Sequence, residues 1–201
     1  MARRHGWAGS PPADESEARG RIIEAAMRCV DRDGPEKFAL RDVALELGVI
    51  RQTIYRYYAS TDELFAAVAE AAAEVFVGDL TQHLRHIARP ADWVVEALAS
   101  AIEWLPARRY LTLLLAAGRP EPFVHGVTSP TSMEIGRELF KRSHLDWAAV
   151  GYDECRLDEL IELMLRLLQS MTIDPPSPRR TGLELRDYLR RWIAPAVAVG
   201  P

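Results

Sequence analysis

Two cysteines in 201 residues, Cys29 and Cys155, are too few for a disulfide framework and stand far apart, each in a helical segment. Both read as reduced thiols of a cytoplasmic chain, with a small buried residue as the default reading of each. No apolar run approaches the roughly 20 residues that span a bilayer, so no membrane partner is expected. Residues 1–15 hold Arg3, Arg4, His5, Gly6 and Pro11-Pro12 without an apolar stretch, which excludes a secretory leader and implies a disordered arm. Alternation of apolar and polar residues never persists between turn residues, so no strand is predicted. Catalytic signatures are missing too. There is no Gly-rich phosphate loop, nucleophile elbow or paired-carboxylate motif, and the chain does not read as an enzyme. His83 and His86 lie three apart on a helix but lack a third ligand at recognisable spacing, so neither a metal nor another cofactor is expected.

The formal net charge is only −4, yet its distribution is uneven. Residues 1–61 hold 10 basic and 9 acidic side chains, whereas residues 62–201 hold 15 and 20. A mildly positive head on an acidic body suits a protein that meets nucleic acid at one end. Within the head, Val43, Ala44 and Leu47 form an apolar stripe on a short helix, and Gly48 supplies the turn. Val49 and Ile54 continue the buried face into a second short helix. No acidic residue lies between Glu46 and Asp62, where Arg51, Gln52, Thr53, Tyr55, Arg56 and Tyr57 cluster. Cations, hydroxyls and an amide can bond phosphate oxygens and base edges. A helix-turn-helix places the start of its second helix in the major groove. A solvated basic face is the bland alternative.

The order of these residues decides between the two. Gly48-Val49, Thr53-Ile54-Tyr55, Tyr57-Tyr58 and Ser60-Thr61-Asp62-Glu63-Leu64 resemble the signature of TetR-family transcriptional regulators. Arg41-Asp42-Val43-Ala44 and Ile22-Ile23-Glu24-Ala25-Ala26 match the family's two preceding helix starts, so the resemblance covers about residues 17–70. It implies that Arg41 contacts DNA from one helix, that Arg51, Gln52, Thr53 and Tyr55 form the base-reading and phosphate-contacting surface, and that Tyr57 meets a phosphate. Three positions depart from the family pattern. Ala39 stands where a Ser or Thr usually caps, Ile50 where a small polar residue opens the recognition helix, and Thr61 where a Lys reaches the backbone. Each removes a polar contact, which implies a shallower salt dependence. Ser60 and Glu63 read as a capping box for the next helix.

The rest of the chain reads as helices over 16–33, 61–88 with a bend at Gly78, 90–105, 107–117, 129–147, 153–171 and 182–197. Ser129-Pro130 is an N-cap with Pro at the first helical position, and Asp174-Pro175-Pro176-Ser177-Pro178 is a breaker. The expected fold is all-α, about nine helices. A disordered arm over 1–15 precedes a helix-turn-helix domain over 16–60 and a helical effector-binding and dimerisation domain over 61–201. The stripe Leu157, Leu160, Ile161, Met164, Leu165, Leu168 and Met171 is wider than one intrachain face needs. With the ending Leu189-Arg190-Arg191-Trp192-Ile193-Ala194-Pro195-Ala196, it resembles the last two helices through which such proteins form homodimers.

Trp104, Tyr110, Leu114, Phe123, His125, Met133, Phe140 and Met164 supply aromatic and flexible apolar surface with a few polar handles. Singly each reads as ordinary core; as a group, with the resemblance, they read as a pocket for a small hydrophobic effector. The partners implied are therefore double-stranded DNA at a palindromic operator, that effector, and a second copy of the chain. The expected function is a sequence-specific transcriptional regulator, a repressor released by the effector. The alternative is a helical ligand-binding or adaptor protein that kept the fold and lost DNA binding, for which Ala39, Ile50 and Thr61 are the only footing.

Overall fold

The computed structural model describes residues 6–34, 39–108, 111 and 127–198. Among them are nine α-helices and no strand. They are α1 (Glu15–Asp33), α2 (Leu40–Leu47), α3 (Arg51–Tyr55), α4 (Thr61–Leu84), α5 (Pro90–Trp104), α6 (Pro130–Lys141), α7 (Glu154–Ile173), α8 (Gly182–Trp192) and α9 (Ala194–Ala198). The chain forms two compact units, Met1–Ala72 and Ala73–Pro201.

In the first unit, α1 starts where Asp14 accepts the Glu17 N–H at 2.8 Å. Ala18, Ile22, Ala25, Ala26, Cys29 and Val30 then recur at helical spacing and are all buried. They pack on α2, which buries Leu40, Val43, Ala44 and Leu47. Each fully buried Ile or Val contributes about 1.5–3 kcal/mol. Gly48 ends α2 in the left-handed region (φ 67), where a Cβ would be strained, and the Val49 N–H returns to the Ala44 carbonyl at 2.9 Å. Ile54 anchors α3 with no exposed surface. Ser60 accepts the Glu63 N–H at 3.0 Å and Glu63 accepts the Ala59 N–H at 2.6 Å, so the capping box reaches one residue further back than the sequence implies. The segment read as a disordered arm is described from Gly6 on. There Trp7 closes a short 3₁₀ turn and sets its ring edge against Tyr57, centroids 6.3 Å apart, while Arg21 donates to the Ser10 carbonyl.

In the second unit, α5 is the central helix. Trp93, Val94, Val95, Ala97, Leu98, Ala99, Ser100, Ala101 and Ile102 are all buried, as expected of a helix surrounded by neighbours. It packs against α7, α8 and α9. Ser129 caps α6 with Pro130 at its first position, and Asp153 caps α7. Trp93, Phe140, Trp147 and Tyr152 form an aromatic chain with successive centroids 4.8–5.8 Å apart.

Three helices differ from the sequence reading. The α4 helix is continuous through Gly78 and stops at Leu84. The α6 helix stops at Lys141, because Ser143 and Asp146 bond locally to Trp147 Nε1 and the Ala149 N–H. The last helix is broken at Ile193, since Pro195 has no N–H to continue it. The helix read over 107–117 lies outside the described residues apart from Ala107, Arg108 and Leu111.

Candidate nucleic-acid interface

The Gly48–Ile50 turn and the cap at Ser60 hold α3 outside the hydrophobic core, with only Ile54 of its five residues buried. Arg51 and Gln52 are exposed, Thr53 is half-buried and Tyr55 is exposed. Arg51 Nη2 donates to Tyr55 Oη at 2.5 Å, and its guanidinium lies 5.0 Å from the ring centroid. Arg56 is exposed and does the same to its neighbour, donating to Tyr57 Oη at 2.5 Å with the guanidinium 4.8 Å over the ring. Tyr57 itself is 7% exposed. Its ring therefore belongs to the packing under α3, and its hydroxyl is already an acceptor. Arg41 projects from α2 with its side chain 78% exposed and an ion pair to Asp42 at 3.2 Å. Ala39 caps α2 without a side-chain bond, as its side chain requires.

The acidic residue nearest this surface in sequence is neutralised from behind. Glu46 accepts from Arg28 and Arg32 of α1, both at 3.0 Å, and these bonds hold its carboxyl below the ordinary range. A second ion pair, Arg41–Asp42, is exposed and so weakly held that a phosphate can replace the carboxylate. The exposed groups on α3 and its C-cap Arg56 are two guanidiniums, an amide and a phenol, all capable of donating to an anionic backbone or a base edge.

The second unit holds a cavity of about 80 Å³ lined by apolar side chains, among them Phe76, Leu98, Ile135, Phe140, Ile161 and Met164. Of the pocket residues read from sequence, Phe140 and Met164 line it. Trp104 and Met133 are half-buried and do not; Trp104 packs on His83 instead, centroids 5.1 Å apart. Tyr110, Leu114, Phe123 and His125 lie outside the described residues. Phe76 and Ile135 escaped the sequence reading, although the helical spacing of Phe76, Val77 and Leu80 marks that face. His83 and His86 do not converge: the first bonds Glu96 at 2.9 Å and the second accepts from Arg85 at 2.8 Å. Among the described residues, no helix is long and apolar enough to cross a membrane. The thiol of the buried Cys29 is pushed up by burial, against the pull of Arg32; Cys155 is exposed.

A short helix following α2 across a left-handed glycine turn is the arrangement of a helix-turn-helix. Residues 22–68 match the family described as bacterial regulatory proteins, tetR family. No curated protein matches. Among solved structures, the multidrug binding protein EbrR complexed with ethidium is 26% identical, with 90% of this chain and 100% of that one covered and a TM-score of 0.61. The TetR family repressor AlkX from Dietzia sp. strain DQ12-45-1b is 18% identical, with coverage of 89% and 94% and a TM-score of 0.62. A TetR transcriptional regulator from Rhodococcus sp. RHA1 is 21% identical, with coverage of 92% and 98% and a TM-score of 0.59. Over residues 22–68 the chain is therefore similar to the tetR family of bacterial regulatory proteins, and the solved structures share its fold over most of its length.

Proposed function

We propose that this chain is a homodimeric repressor that reads a palindromic operator with Arg41, Arg51, Gln52, Thr53, Tyr55 and Arg56, and leaves it when a small hydrophobic effector binds. The observation that carries the reading is the α3 surface. Its exposed side chains are donors, it holds no carboxylate, and Glu46 behind it is bound by two arginines. Arg51 and Arg56 rest on tyrosine rings and exchange those contacts for phosphates at small cost, because both pairs are exposed at the guanidinium. Tyr57 supports the surface from beneath, its ring buried and its hydroxyl accepting from Arg56.

Dimerisation is supported by α7 and α8, which leave Leu163, Ile173, Leu183 and Trp192 between 41% and 76% exposed. Such side chains on adjacent helices are what a second copy would cover. A two-fold pair would set its recognition helices about 34–36 Å apart, in successive major grooves. An effector that favours a different spacing lowers operator affinity by its differential binding to the two states. The apolar cavity supports an uncharged ligand. EbrR, complexed with ethidium, is a relative with a small-molecule ligand. Met164 and Leu168 can change rotamer to enlarge the space. With only about 80 Å³ in the described state, an effector of drug size would have to expand it.

The test is selection from a pool of random duplexes with the full-length protein at physiological salt. Enrichment of one inverted repeat is expected. A bound pool with no enriched sequence would contradict specific recognition and favour the adaptor alternative.

A further inference from the structure

Beside the exposed donors of α3 stands a hydrocarbon. Ile50, in the turn between α2 and α3, is 69% exposed. Its backbone is extended (φ −78, ψ 149), and its carbonyl accepts the Thr53 N–H at 2.9 Å, so the turn itself fixes where the side chain starts. Branching at Cβ restricts its χ1. The group is therefore a stiff apolar tip next to Arg51 and Gln52, on a surface whose charge suits DNA.

In sequence, Ile50 counts as a lost polar contact. In the major groove the balance differs. Base edges there offer N7, O6 and O4 acceptors, amino donors, and a single apolar group, the C5-methyl of thymine. An isoleucine pressed against an acceptor or donor would strip its water and return no hydrogen bond, at a net loss. Against a methyl it removes apolar surface from water on both sides. Resting on the DNA-binding reading above, we infer that Ile50 is a specificity-determining residue that reads a thymine methyl, so that each operator half-site carries a thymine facing the α2–α3 turn.

The experiment uses the full-length protein and the duplex enriched by selection, resynthesised with dT replaced by dU one position at a time. This deletes only the methyl and leaves base pairing intact. At one thymine of each half-site, dU is expected to weaken binding roughly fourfold, the factor that burying one methylene-sized group confers. Ile50→Ala is expected to bind the dT and dU duplexes equally, and because Ile50 is exposed its melting temperature should match the unaltered protein. Tolerance of dU at every position by the unaltered protein overturns the inference, as does a dU penalty that persists in full in Ile50→Ala. Either result leaves specific DNA binding standing; a selection that enriches no sequence overturns both.

Discussion

Arg186 of α8 grips Glu96 of α5 end to end: Nη2 lies 2.6 Å from Oε1 and Nε 2.7 Å from Oε2. Its remaining nitrogen reaches both oxygens of Glu103, at 3.1 and 3.2 Å, and Glu103 accepts the first N–H of α8 from Gly182 at 2.6 Å. Glu96 also takes His83 of α4 and Ser100 of its own helix. Three helices, the last of them 90 residues along the chain from Glu96, thus meet on one carboxylate. The planar guanidinium suits this two-carboxylate geometry, which a lysine would not reproduce. The network holds α8, with its exposed Trp192 and Leu183, in a fixed orientation on α5.

Arg186→Ala is expected to destabilise the chain by roughly 2–3 kcal/mol, because it leaves Glu96 and Glu103 charged and without their shared partner. Arg166→Ala is the control. That residue pairs with Glu162 one turn away on an exposed face, and its loss should cost no more than about 0.5 kcal/mol. Urea midpoints of the two variants check the difference; equal midpoints would contradict the network.

The same carboxylate sets an acid limit. Burial pushes Glu96 up, but the bonds from Arg186, His83 and Ser100 outweigh it and hold the group at about 2, below its ordinary 4.5. A folded value below the unfolded one stabilises the fold above the unfolded value, and this contribution is lost as pH falls from about 4.5 towards 2. Glu96→Gln should therefore be less stable at neutral pH and show a flatter loss of stability across that window. A parallel pH dependence of the two proteins would contradict the assignment.

At the α6–α7 crossing, a Cβ built on Gly136 would overlap Ile161 Cγ2. Gly136→Ala gains up to about 1 kcal/mol of helix propensity, yet is expected to destabilise by roughly 1–3 kcal/mol through overpacking. Combined with Ile161→Ala, it should cost less than the two single changes added together. Additive costs by thermal unfolding would show that the crossing relaxes freely.

Trp192 is 65% exposed on α8 and Leu183 is 76% exposed. If these faces meet a second copy, Trp192→Glu should shift the protein to a monomer in sedimentation while its circular dichroism stays unchanged. A dimer that survives this change, and Leu183→Glu as well, would place the interface elsewhere.

Local patterns were readable in the sequence. The stripes of α2 and α7, the caps at Ser60 and Ser129, and the glycine turn at Gly48 each depend on residues within a few positions of one another. Burial of Tyr57 was not readable, because its neighbour Trp7 is 50 residues away and its own spacing equally suits an exposed phenol. Arg186 with Glu96 escaped for the same reason, at a separation of 90 residues. The cavity was half legible: Met164 and Phe140 announce adaptable apolar surface, whereas which helices converge on them depends on tertiary packing. Helix ends failed where a single backbone atom decides, as at Pro195.

The central claim is that the exposed face of α3 recognises DNA, and its most direct measurement is a gel shift. Purified protein and Tyr55→Ala would be titrated into the DNA flanking the chain's own gene and into random DNA of equal length, across a salt series. The account expects the unaltered protein to shift the flanking fragment preferentially and to lose affinity as salt rises. Tyr55→Ala, folded to the same extent, should lose that preference. Equal shifts of the two fragments at every salt concentration, or unchanged preference in Tyr55→Ala, would contradict the assignment of this surface.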